Sequence, residues 1–367
     1  MHFRSIDRVF LLATALLVFV GFAIFMSAAM GLAARQNISY ITIIAKQFII
    51  GIVVGSALLF FFARVPEYRR WRHWALWLFI VSLIGCVAVF LPKIGFSYNG
   101  SHRWLNLGPL SFQPSEFLKF AAIIYFAAWI AKVKKGISTV RHGLVPFLII
   151  ITLVGGLLIK EPDTGTCMVL IIALLAMFIT AGGKWRHVGV IFLVVVIALA
   201  GLVIVRPYVM QRILTFLNPS QNSLSSGYQI QQALIAVGSG EITGRGFGQG
   251  VQKFNFLPEP AGDSIFAVAA EEFGFIGGLV LIGLIIFFAL RGYRIAAQTP
   301  EVFGSSLVIG FVTVIAVQSF VNIGSMLAVL PLTGIPLVFV SQGGTAMLIA
   351  LAEVGIILNV SKIEKRV

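Results

Sequence analysis

Three carboxylates stand where the sequence passes from a polar segment into a long apolar run. The stretch "LPEPAGDSIFAVAAEEFGFIGGLVLIGLIIFFAL" (257–290) holds Asp263 near its start and Glu271 and Glu272 two turns further on. A charge at the bilayer centre costs about 2.5–3.5 kcal/mol on insertion scales, so such residues are candidates for function. Asp263, at the mouth of the run, is a candidate general base for a substrate hydroxyl group. At about 100° per residue Glu271 lies about 80° from Asp263, which predicts that Glu271 and Glu272 line the same outward cavity.

Each of these carboxylates also has an interpretation without chemistry. Asp263 can be the N-cap of the helix that follows it, where a side-chain oxygen accepts a backbone hydrogen bond. Glu271 and Glu272 can anchor the preceding external loop without meeting a substrate. The sequence pattern alone leaves both sets of roles open.

A second charged pair lies at the start of an apolar helix. In "SFQPSEFLKFAAII" (111–124), Pro114 suits a first helical turn, and Glu116 and Lys119 share one face through their i,i+3 spacing. They are either functional or a plain ion pair at a helix start. Just upstream, Arg103 in "SYNGSHRWLNLGPL" either binds an anionic head group or stabilises a loop.

A glycine-rich segment precedes Asp263 in the chain. Six glycines fall between positions 238 and 250, and backbone N–H groups such as those of Gly246 and Gly248 can meet phosphate oxygens in such runs. The signal is weak, because the segment lacks the Gly-Lys-Ser/Thr ending of a P-loop, and a flexible hinge explains it as well. Lys253 and Glu259 follow in "GVQKFNFLPEP" as further candidate substrate-binding residues.

A second irregular segment lies towards the C-terminal end. The stretch "LPLTGIPLVFVSQGGTAML" (330–348) contains two prolines and a Gly-Gly pair, which indicates an interrupted helix start. Irregular backbone at membrane depth is tolerated only where it faces protein or a water-filled cavity. Ser341 is therefore predicted to support or line the outward cavity.

The elements that must position these residues are transmembrane helices. Of the 367 residues, 59% are hydrophobic and 11% charged, with a mean hydropathy of +1.01, whereas soluble domains carry about a quarter charged residues. The composition predicts an all-α polytopic membrane protein with a single domain, 1–367, and no disulfide framework in its two cysteines. Runs of about 20 apolar residues predict ten spans, at 9–31, 42–63, 74–92, 113–131, 143–159, 165–182, 187–206, 264–290, 303–330 and 337–360.

The basic residues indicate the orientation of these spans. One set of loops carries 17 Lys and Arg residues and the opposite set carries 8, so the positive-inside rule puts both termini in the cytoplasm. The net charge of +14 is then explained by topology, without nucleic-acid binding. Three polar stretches face outward: 93–112, 160–164 and a long loop between spans seven and eight, 207–262.

Several motifs, in this order, resemble one protein family. The stretches "GSHRWLNLGPLSFQPSEFLK", "EPDTGT", "YQIQQALIAVGSGEITGRGFGQGVQKFNFLPEP" and "TGIPLVFVSQGG" are similar to those of the SEDS proteins (shape, elongation, division and sporulation). The likeness extends over roughly residues 95–350. The segments "RWLNLGPLSFQPSE" and "GVQKFNFLPEP" look closer to the division branch, FtsW, than to the elongation branch, RodA.

The resemblance implies a function and roles for particular residues. It implies a ten-helix, inverting peptidoglycan glycosyltransferase that polymerises lipid II during cell division, together with a class B penicillin-binding protein and other division proteins. Asp263 then matches the essential aspartate, and Arg103, Glu116 and Lys119 match functional positions. No metal-ligand cluster is evident, although a divalent cation, Mg²⁺ or Mn²⁺, is a candidate aid. Ala261-Gly262 and Gln342 depart from the family pattern, which puts the fine positioning of substrate in question.

Three alternatives remain open at this point. A RodA-like elongation polymerase would share the same chemistry. A lipid II flippase or proton-coupled transporter would use Glu271 and Glu272, although the unusual residues gather on one side of the membrane. A passive scaffold for a division complex would have no need of Asp263. Fluorescent lipid II in a reconstituted system separates polymer, flipped monomer and neither.

Overall fold

The computed structural model describes residues 6–36, 38–64, 67–91, 94–98, 101–107, 110–218 and 226–362. The predicted outward stretches 93–112 and 207–262 therefore lie partly outside the described residues, as do both chain ends. Within the described part, most residues are helical, which confirms the predicted fold class. The helical segments, in chain order, are α1 (Arg8–Gln36), α2 (Tyr40–Arg64), α3 (Tyr68–Ala88), α4 (Pro114–Val133), α5 (Val140–Lys160), α6 (Thr164–Thr180), α7 (Trp185–Val205), α8 (Pro207–Leu217), α9 (Ser226–Ser239), α10 (Gln252–Asn255), α11 (Ile265–Gln298), α12 (Val302–Met326) and α13 (Gly344–Val360).

Helices α1 to α7 and α11 to α13 fall on the ten predicted spans. Among the residues the structure describes, α1, α2, α3, α5, α7, α11 and α12 are long and apolar enough to cross a membrane, and α6 and α13 are shorter apolar helices. The middle of α2, Gln47–Val54, is π-helical. The chain is thus a multi-pass membrane protein. Helix α12 is central and α7 peripheral, since 78% of the most apolar 18 residues of α12 are buried but only 6% of those of α7.

A small sheet interrupts the helices between α3 and α4. Strands β1 (Gly95–Tyr98), β2 (Ser101–Leu107) and β3 (Leu110–Phe112) pair antiparallel in that order. The register places Gly95 opposite Leu105 and Leu105 opposite Phe112. The sequence prediction contained no strand here, only a polar outward stretch, so the sheet is an addition to the expected all-α fold.

The predicted interruption before the last span is present. Helix α12 ends at Met326, earlier than the predicted limit of 330, and α13 begins at Gly344 instead of 337. Between them the backbone is irregular through Pro331 and Pro336, because proline has no N–H group to continue a helix. This segment, residues 327–343, crosses the top of α12 and reaches the neighbourhood of Asp263.

Helix α11 is broken at Gly274, where φ is 65° and ψ is −164°. The break frees backbone groups on both sides, and the loop between α9 and α10 replaces the missing helical partners. Loop N–H groups donate to the carbonyls before the break, and loop carbonyls accept from the N–H groups after it. The bonds are Arg245 N to Glu271 O (3.0 Å), Gly246 N to Glu272 O (2.9 Å), Phe275 N to Glu241 O (2.9 Å) and Ile276 N to Ile242 O (3.1 Å). Such satisfaction is what permits a discontinuous helix at membrane depth.

The Gly274→Ala substitution is expected to destabilise the protein by about 2 kcal/mol or more, because a side chain at positive φ is strained. Its β-carbon would also lie 2.3 Å from Gly244 N and 2.6 Å from Ile242 O. Gly283→Ala, further along α11, is the matched control, since a β-carbon there meets nothing within 4 Å. The control should be neutral or more stable by about 0.5–1 kcal/mol. Equal thermal unfolding temperatures for the two detergent-purified variants would contradict the role of the break.

Candidate active site

Asp263 lies in the turn just before α11 and is held from two sides. Its Oδ1 accepts a hydrogen bond from Gln229 Nε2 of α9 (3.0 Å), and its backbone carbonyl accepts from Asn322 Nδ2 of α12 (2.7 Å). Gln229 also donates to Ser264 Oγ (2.9 Å). The N-cap position of α11 is occupied by Ser264, so the interpretation of Asp263 as the cap is wrong. The side chain is partly exposed and fixed in place.

The surroundings of Asp263 favour its protonated form. Burial of the carboxyl group, followed by the neighbouring charge of Glu259, raises the pKa of Asp263 to about 6, while the Gln229 hydrogen bond and the charge of Arg212 oppose this rise. A carboxyl group with a pKa close to neutral is suited to proton transfer, because it accepts and releases a proton near the ambient pH. Glu259, predicted as a substrate-binding residue, thus lies beside the candidate base.

The irregular segment 327–343 packs directly against the Asp263 turn. Ser341 Oγ donates to Gly262 O (2.7 Å) and accepts from Leu337 N (2.8 Å), and Gln342 N donates to Ala261 O (2.7 Å). Ser341 is buried and joins two pieces of backbone, so it supports the site and does not line a cavity. The contacts of Ala261, Gly262 and Gln342 are made by backbone atoms, so the departures of these side chains from the family pattern leave them intact.

Glu116 and Lys119 lie inside the bundle, away from the Asp263 side chain. Both are buried, and Lys119 Nζ contacts Glu116 Oε1 at 2.8 Å and donates to Gln318 Oε1 of α12. With Glu353 of α13 they border a small cavity with room for about one water molecule. The prediction that they bind substrate is not what this geometry shows, because both side chains are buried and Lys119 donates to two protein acceptors.

The pair is nevertheless connected to Asp263 through α12. Gln318, which accepts from Lys119, lies one helical turn before Asn322, which holds the Asp263 carbonyl. Gln318 Nε2 also donates to Pro336 O (3.2 Å), and Asn322 Nδ2 to Ile335 O (2.8 Å). Glu116 and Lys119 therefore support the face of α12 that positions the candidate base.

Glu271 and Glu272 do not line an outward cavity, and this prediction is wrong. Both side chains are buried, at 0% and 1% exposure. Glu271 Oε1 accepts from Val251 N (2.8 Å), and Glu272 Oε1 meets Lys253 Nζ at 2.5 Å. Ser27 Oγ of α1 donates to the same Glu272 oxygen (2.5 Å). The two carboxylates anchor the external loop, which is the alternative that the sequence left open.

The same contacts remove Lys253, Gly246 and Gly248 from the set of substrate-binding candidates. Lys253 is buried, and its Nζ is held by Glu272, Ser27 Oγ (2.7 Å) and Gly248 O (2.9 Å). The N–H of Gly246 donates to Glu272 O (2.9 Å) and that of Gly248 to Glu272 Oε2 (3.1 Å). These groups cannot meet phosphate oxygens, because protein acceptors already occupy them.

Arg103 of β2 reaches the turn between α5 and α6. Its Nε donates to Glu161 O (3.2 Å) and its Nη2 to Pro162 O. From the opposite side Arg212 of α8 donates to Thr164 Oγ1 (3.3 Å). The sequence interpretation missed Arg212, together with Gln229 and Asn322. Gln229 stood inside a quoted motif, but only the fold shows that its amide meets Asp263.

The described residues do not bring three His, Cys, Asp or Glu side chains together as metal ligands. Asp263 and Glu259 are the adjacent carboxylates at this site. Two carboxylates are enough for Mg²⁺ when a substrate diphosphate supplies further oxygen ligands. The residues present therefore fit a cation that binds together with substrate.

Sequence comparisons relate the chain to one family over nearly its whole length. The family model FtsW/RodA/SpoVE, described as cell cycle protein, matches residues 7–366. Stage V sporulation protein E of Bacillus subtilis (strain 168) is 37% identical over 358 residues, covering 98% of this chain and 97% of that protein. A probable peptidoglycan glycosyltransferase FtsW of Trichlorobacter lovleyi is 36% identical over 97% of this chain and 93% of that protein.

Solved structures share the same fold. A chain from a peptidoglycan synthase complex, described as coordinating polymerization and crosslinking, aligns with a TM-score of 0.79 and 27% identity, covering 97% of this chain and 98% of that one. The rod shape determining protein RodA of Thermus thermophilus aligns with a TM-score of 0.67 and 24% identity, covering 99% and 98%. At that identity the second likeness concerns the fold alone.

Proposed function

Because this chain belongs to the FtsW/RodA/SpoVE family of cell cycle proteins, we propose that it is a peptidoglycan glycosyltransferase. It polymerises lipid II into glycan strands at the outer face of the cytoplasmic membrane, with Asp263 as general base. The observation that carries this proposal is Asp263 itself, a partly exposed residue whose carboxyl group has its pKa raised to about 6 and is fixed by Gln229, while Asn322 holds its backbone carbonyl.

The proposed reaction forms one glycosidic bond. Asp263 takes the proton from the 4-hydroxyl group of the acceptor sugar, and the freed oxygen attacks the anomeric carbon of the donor from the face opposite the diphosphate. The bond from this carbon to the diphosphate oxygen breaks, and the diphosphate leaves with the electron pair, so the anomeric configuration inverts. Gln229 keeps the carboxylate oriented through its bond to Oδ1, which leaves Oδ2 to accept the proton.

The geometry argues against a transporter. A proton-coupled carrier through Glu271 and Glu272 needs these carboxylates to reach water, and both are buried and hydrogen-bonded to the loop and α1. Division and elongation polymerases share the site, but the relatives named FtsW favour the division role, and the sporulation relative adds a third cellular setting.

The test of the proposed function is reconstitution of the purified chain in vesicles with fluorescent lipid II, with and without the cognate transpeptidase. A ladder of glycan polymers supports the glycosyltransferase. Monomer transferred between leaflets without polymer supports a flippase, and neither product supports a scaffold.

A class B penicillin-binding protein is the partner we propose, because the chain aligns with a component of a peptidoglycan synthase complex over 97% of its length. Such a partner would cross-link the strands that this chain makes. Co-purification of the two proteins from membranes, and an increase in polymer on adding the partner, are the expected results. Unchanged polymerisation and separate purification would contradict the partnership.

Both chain ends are proposed to face the cytoplasm. Residues near the two ends meet at one end of the bundle: Asp7 pairs with Arg291 (2.8 Å), its N–H donates to Ser361 Oγ (3.2 Å), and Lys362 donates to Ala63 O. These contacts lie in or beside the loops with the larger number of basic residues, which supports the assignment. Labelling of single cysteines at residues 67 and 245 with a membrane-impermeant reagent in intact cells should modify only residue 245.

A divalent cation, Mg²⁺ or Mn²⁺, is proposed to bind with the substrate at Asp263 and Glu259. When bound, it would offset the charge that develops on the departing diphosphate. Removing free cations with EDTA should then lower the rate, and added Mg²⁺ should restore it. A polymerisation rate that is indifferent to EDTA and to added Mg²⁺ or Mn²⁺ would contradict this role.

The Glu259→Gln substitution is expected to move the acidic limb of the pH–rate profile to lower pH. Asp263 must be ionised to accept a proton, so the rate falls as the pH drops below the pKa of Asp263, about 6. The negative charge of Glu259 raises this pKa, so its removal lowers the pKa and preserves the base in more acidic solution. The position of the limb, not the height of the plateau, is the measurement, and an unmoved limb would show that Asp263 does not control it.

A further inference from the structure

We propose that Arg103, Arg212 and Tyr208 bind the diphosphate group of the lipid-linked sugar substrate, with Thr333 bordering the same site. This inference rests on the proposed glycosyltransferase function and places the leaving group on residues other than the glycine-rich loop and Lys119. The argument starts from the turn between α5 and α6, residues 161–164.

Two guanidinium groups from separate elements converge on this turn. Arg103 of β2 donates to the carbonyls of Glu161 and Pro162, and Arg212 of α8 donates to Thr164 Oγ1 (3.3 Å). Both arginines are partly buried. Each guanidinium carries five N–H donors in a planar fork, and the bonds above use only a few of them.

The hydrogen-bond acceptors of these arginines are neutral carbonyl and hydroxyl groups, although a partly buried arginine is usually paired with a carboxylate. In the described part of the chain, neither Arg103 nor Arg212 takes part in any of the ion pairs. Glu161 does not pair with them, because both of its carboxyl oxygens are buried without a hydrogen-bond partner among the described residues. Its burial and the nearby charge of Asp163 raise the pKa of Glu161 to about 8, although the charge of Arg103 opposes this rise. The second carboxylate, Asp163, is occupied by Thr166 N (3.3 Å) and Ser115 Oγ (3.2 Å).

The two arginines also repel each other. Burial, and then the charge of Arg103, lowers the pKa of the Arg212 guanidinium. Holding two like charges at one turn is unfavourable unless an anion binds between them, and a diphosphate offers several oxygens to two planar forks at once. The cost of bringing the cations together is then offset when the ligand is present.

Two hydroxyl groups beside the turn have no hydrogen-bond partner within the described part of the chain. Tyr208 Oη and Thr333 Oγ1 are both buried and unpaired. Tyr208 lies one turn before Arg212 on α8, and the Arg212 guanidinium lies 5.8 Å from its ring centroid. Thr333 packs on the start of α6, since a β-carbon on Gly165 would lie 2.9 Å from Thr333 Cβ. Buried donors without acceptors are uncommon in native structures, and a ligand oxygen would satisfy them.

This site adjoins the candidate base, as the reaction requires. Gly334 follows Thr333, and a β-carbon on Gly334 would lie 3.8 Å from Asp263 Oδ2. Thr333 therefore borders the arginine turn, and the next residue, Gly334, borders the Asp263 carboxylate. A donor sugar held between them would present its anomeric carbon near Asp263 and its diphosphate to the arginines.

The test measures binding, so that it does not depend on turnover. The purified full chain in detergent is titrated with undecaprenyl diphosphate and, separately, with undecaprenyl monophosphate. The wild type should bind the diphosphate more tightly, and Arg212→Gln or Arg103→Gln should weaken diphosphate binding about tenfold to a hundredfold, with a smaller effect on the monophosphate. Inorganic pyrophosphate should compete with the diphosphate lipid in the wild type.

Tyr208→Phe is the variant that separates binding from folding. Its hydroxyl has no partner among the residues that the structure describes, so removing it should leave the unfolding temperature unchanged while diphosphate binding weakens severalfold. Arg35→Gln, an exposed basic residue in the last turn of α1, is the matched control and should bind as the wild type does.

The outcomes distinguish this inference from the function on which it rests. Equal affinities of the wild type for the two lipids, or unchanged affinities in the Arg212 and Tyr208 variants, would overturn the diphosphate site even if the wild type makes polymer. Measured in EDTA, without divalent cations, Asp263→Asn should retain the diphosphate affinity of the wild type although it polymerises lipid II far more slowly. A wild type that binds the diphosphate selectively but never polymerises lipid II would overturn the proposed function instead.

Discussion

Asp263→Asn is expected to polymerise lipid II about 10²–10⁴-fold more slowly than the wild type, because an amide cannot accept the proton of the acceptor hydroxyl. The substitution keeps the shape of the side chain. The amide oxygen can still accept from Gln229, and the backbone bond from Asn322 does not involve the side chain at all. The fold should therefore persist. The measurement is the initial rate of glycan formation from purified lipid II, with the partner transpeptidase present.

Glu301→Gln provides the matched control for this result. It is the same carboxylate-to-amide change at the start of α12, away from Asp263. There Glu301 contacts Tyr68 and Arg69. The control should polymerise at the rate of the wild type. Polymerisation by Asp263→Asn at a comparable rate would reject Asp263 as the base, and equal loss in both variants would point to a general effect of the substitution.

Lys253→Met is expected to give the largest loss of stability, about 3–5 kcal/mol, because it leaves the buried charge of Glu272 without its cation. Lys253 and Glu272 are 0% and 1% exposed at their side chains, and their charged atoms lie 2.5 Å apart. Ser27 Oγ and Gly248 N would remain as partners of Glu272, but neither carries a charge. Thermal unfolding in detergent, and the rate of proteolysis within the external loop, measure the effect.

A second substitution should reverse much of this loss. The double variant Lys253→Met with Glu272→Gln removes both charges, so it should be more stable than Lys253→Met alone, since replacing a whole buried ion pair is often close to neutral. Lys132→Met, at an exposed position in the last turn of α4, should change stability by less than about 0.5 kcal/mol. Identical stability of the single and double variants would show that the unpaired charge is not the cause.

The transmembrane helices could be predicted because each of them corresponds to an apolar run in the sequence. The run from Val9 to Ala33 lies inside α1, which spans Arg8–Gln36, since a span must be about 20 apolar residues long wherever it packs. The small sheet was harder, because its strands are short and do not alternate cleanly between polar and apolar residues. The Asn99-Gly100 pair, which favours a two-residue hairpin turn, was the signal present in the sequence, although these two residues lie outside the described part.

The break in α11 shows a limit of reasoning from periodicity. Glycine is common in membrane helices, so Gly274, among the nearby glycines 277 and 278, carries no distinctive signal. The break exists because the loop supplies its backbone partners. Glu271 and Glu272 were wrongly predicted to line a water-filled cavity, because that prediction used only the spacing of residues along one helix. Glu272 meets Ser27 and Lys253, and Glu271 meets the backbone N–H groups of Val251 and Gln252, and only the fold brings these groups together.

The candidate site was predictable at its centre and not at its periphery. Asp263 could be found because a carboxylate between a long external loop and an apolar run is unusual. Gln229 and Asn322, which orient it, are neutral residues on helices that could have faced any neighbour. Arg212 was one of several basic residues in an external loop, and its importance depends on a turn that lies 48 positions earlier.

The exchange of backbone bonds across Gly274 has a consequence for chimeras between relatives. Residues 241–246 and the two halves of α11 complete each other's hydrogen bonding, so neither is a separable part. A graft that transfers only the loop would place foreign backbone against a helix shaped for another partner. Swapped segments should therefore begin within α9, before residue 239, and end within α11, beyond residue 276, so that both junctions fall in regular helix.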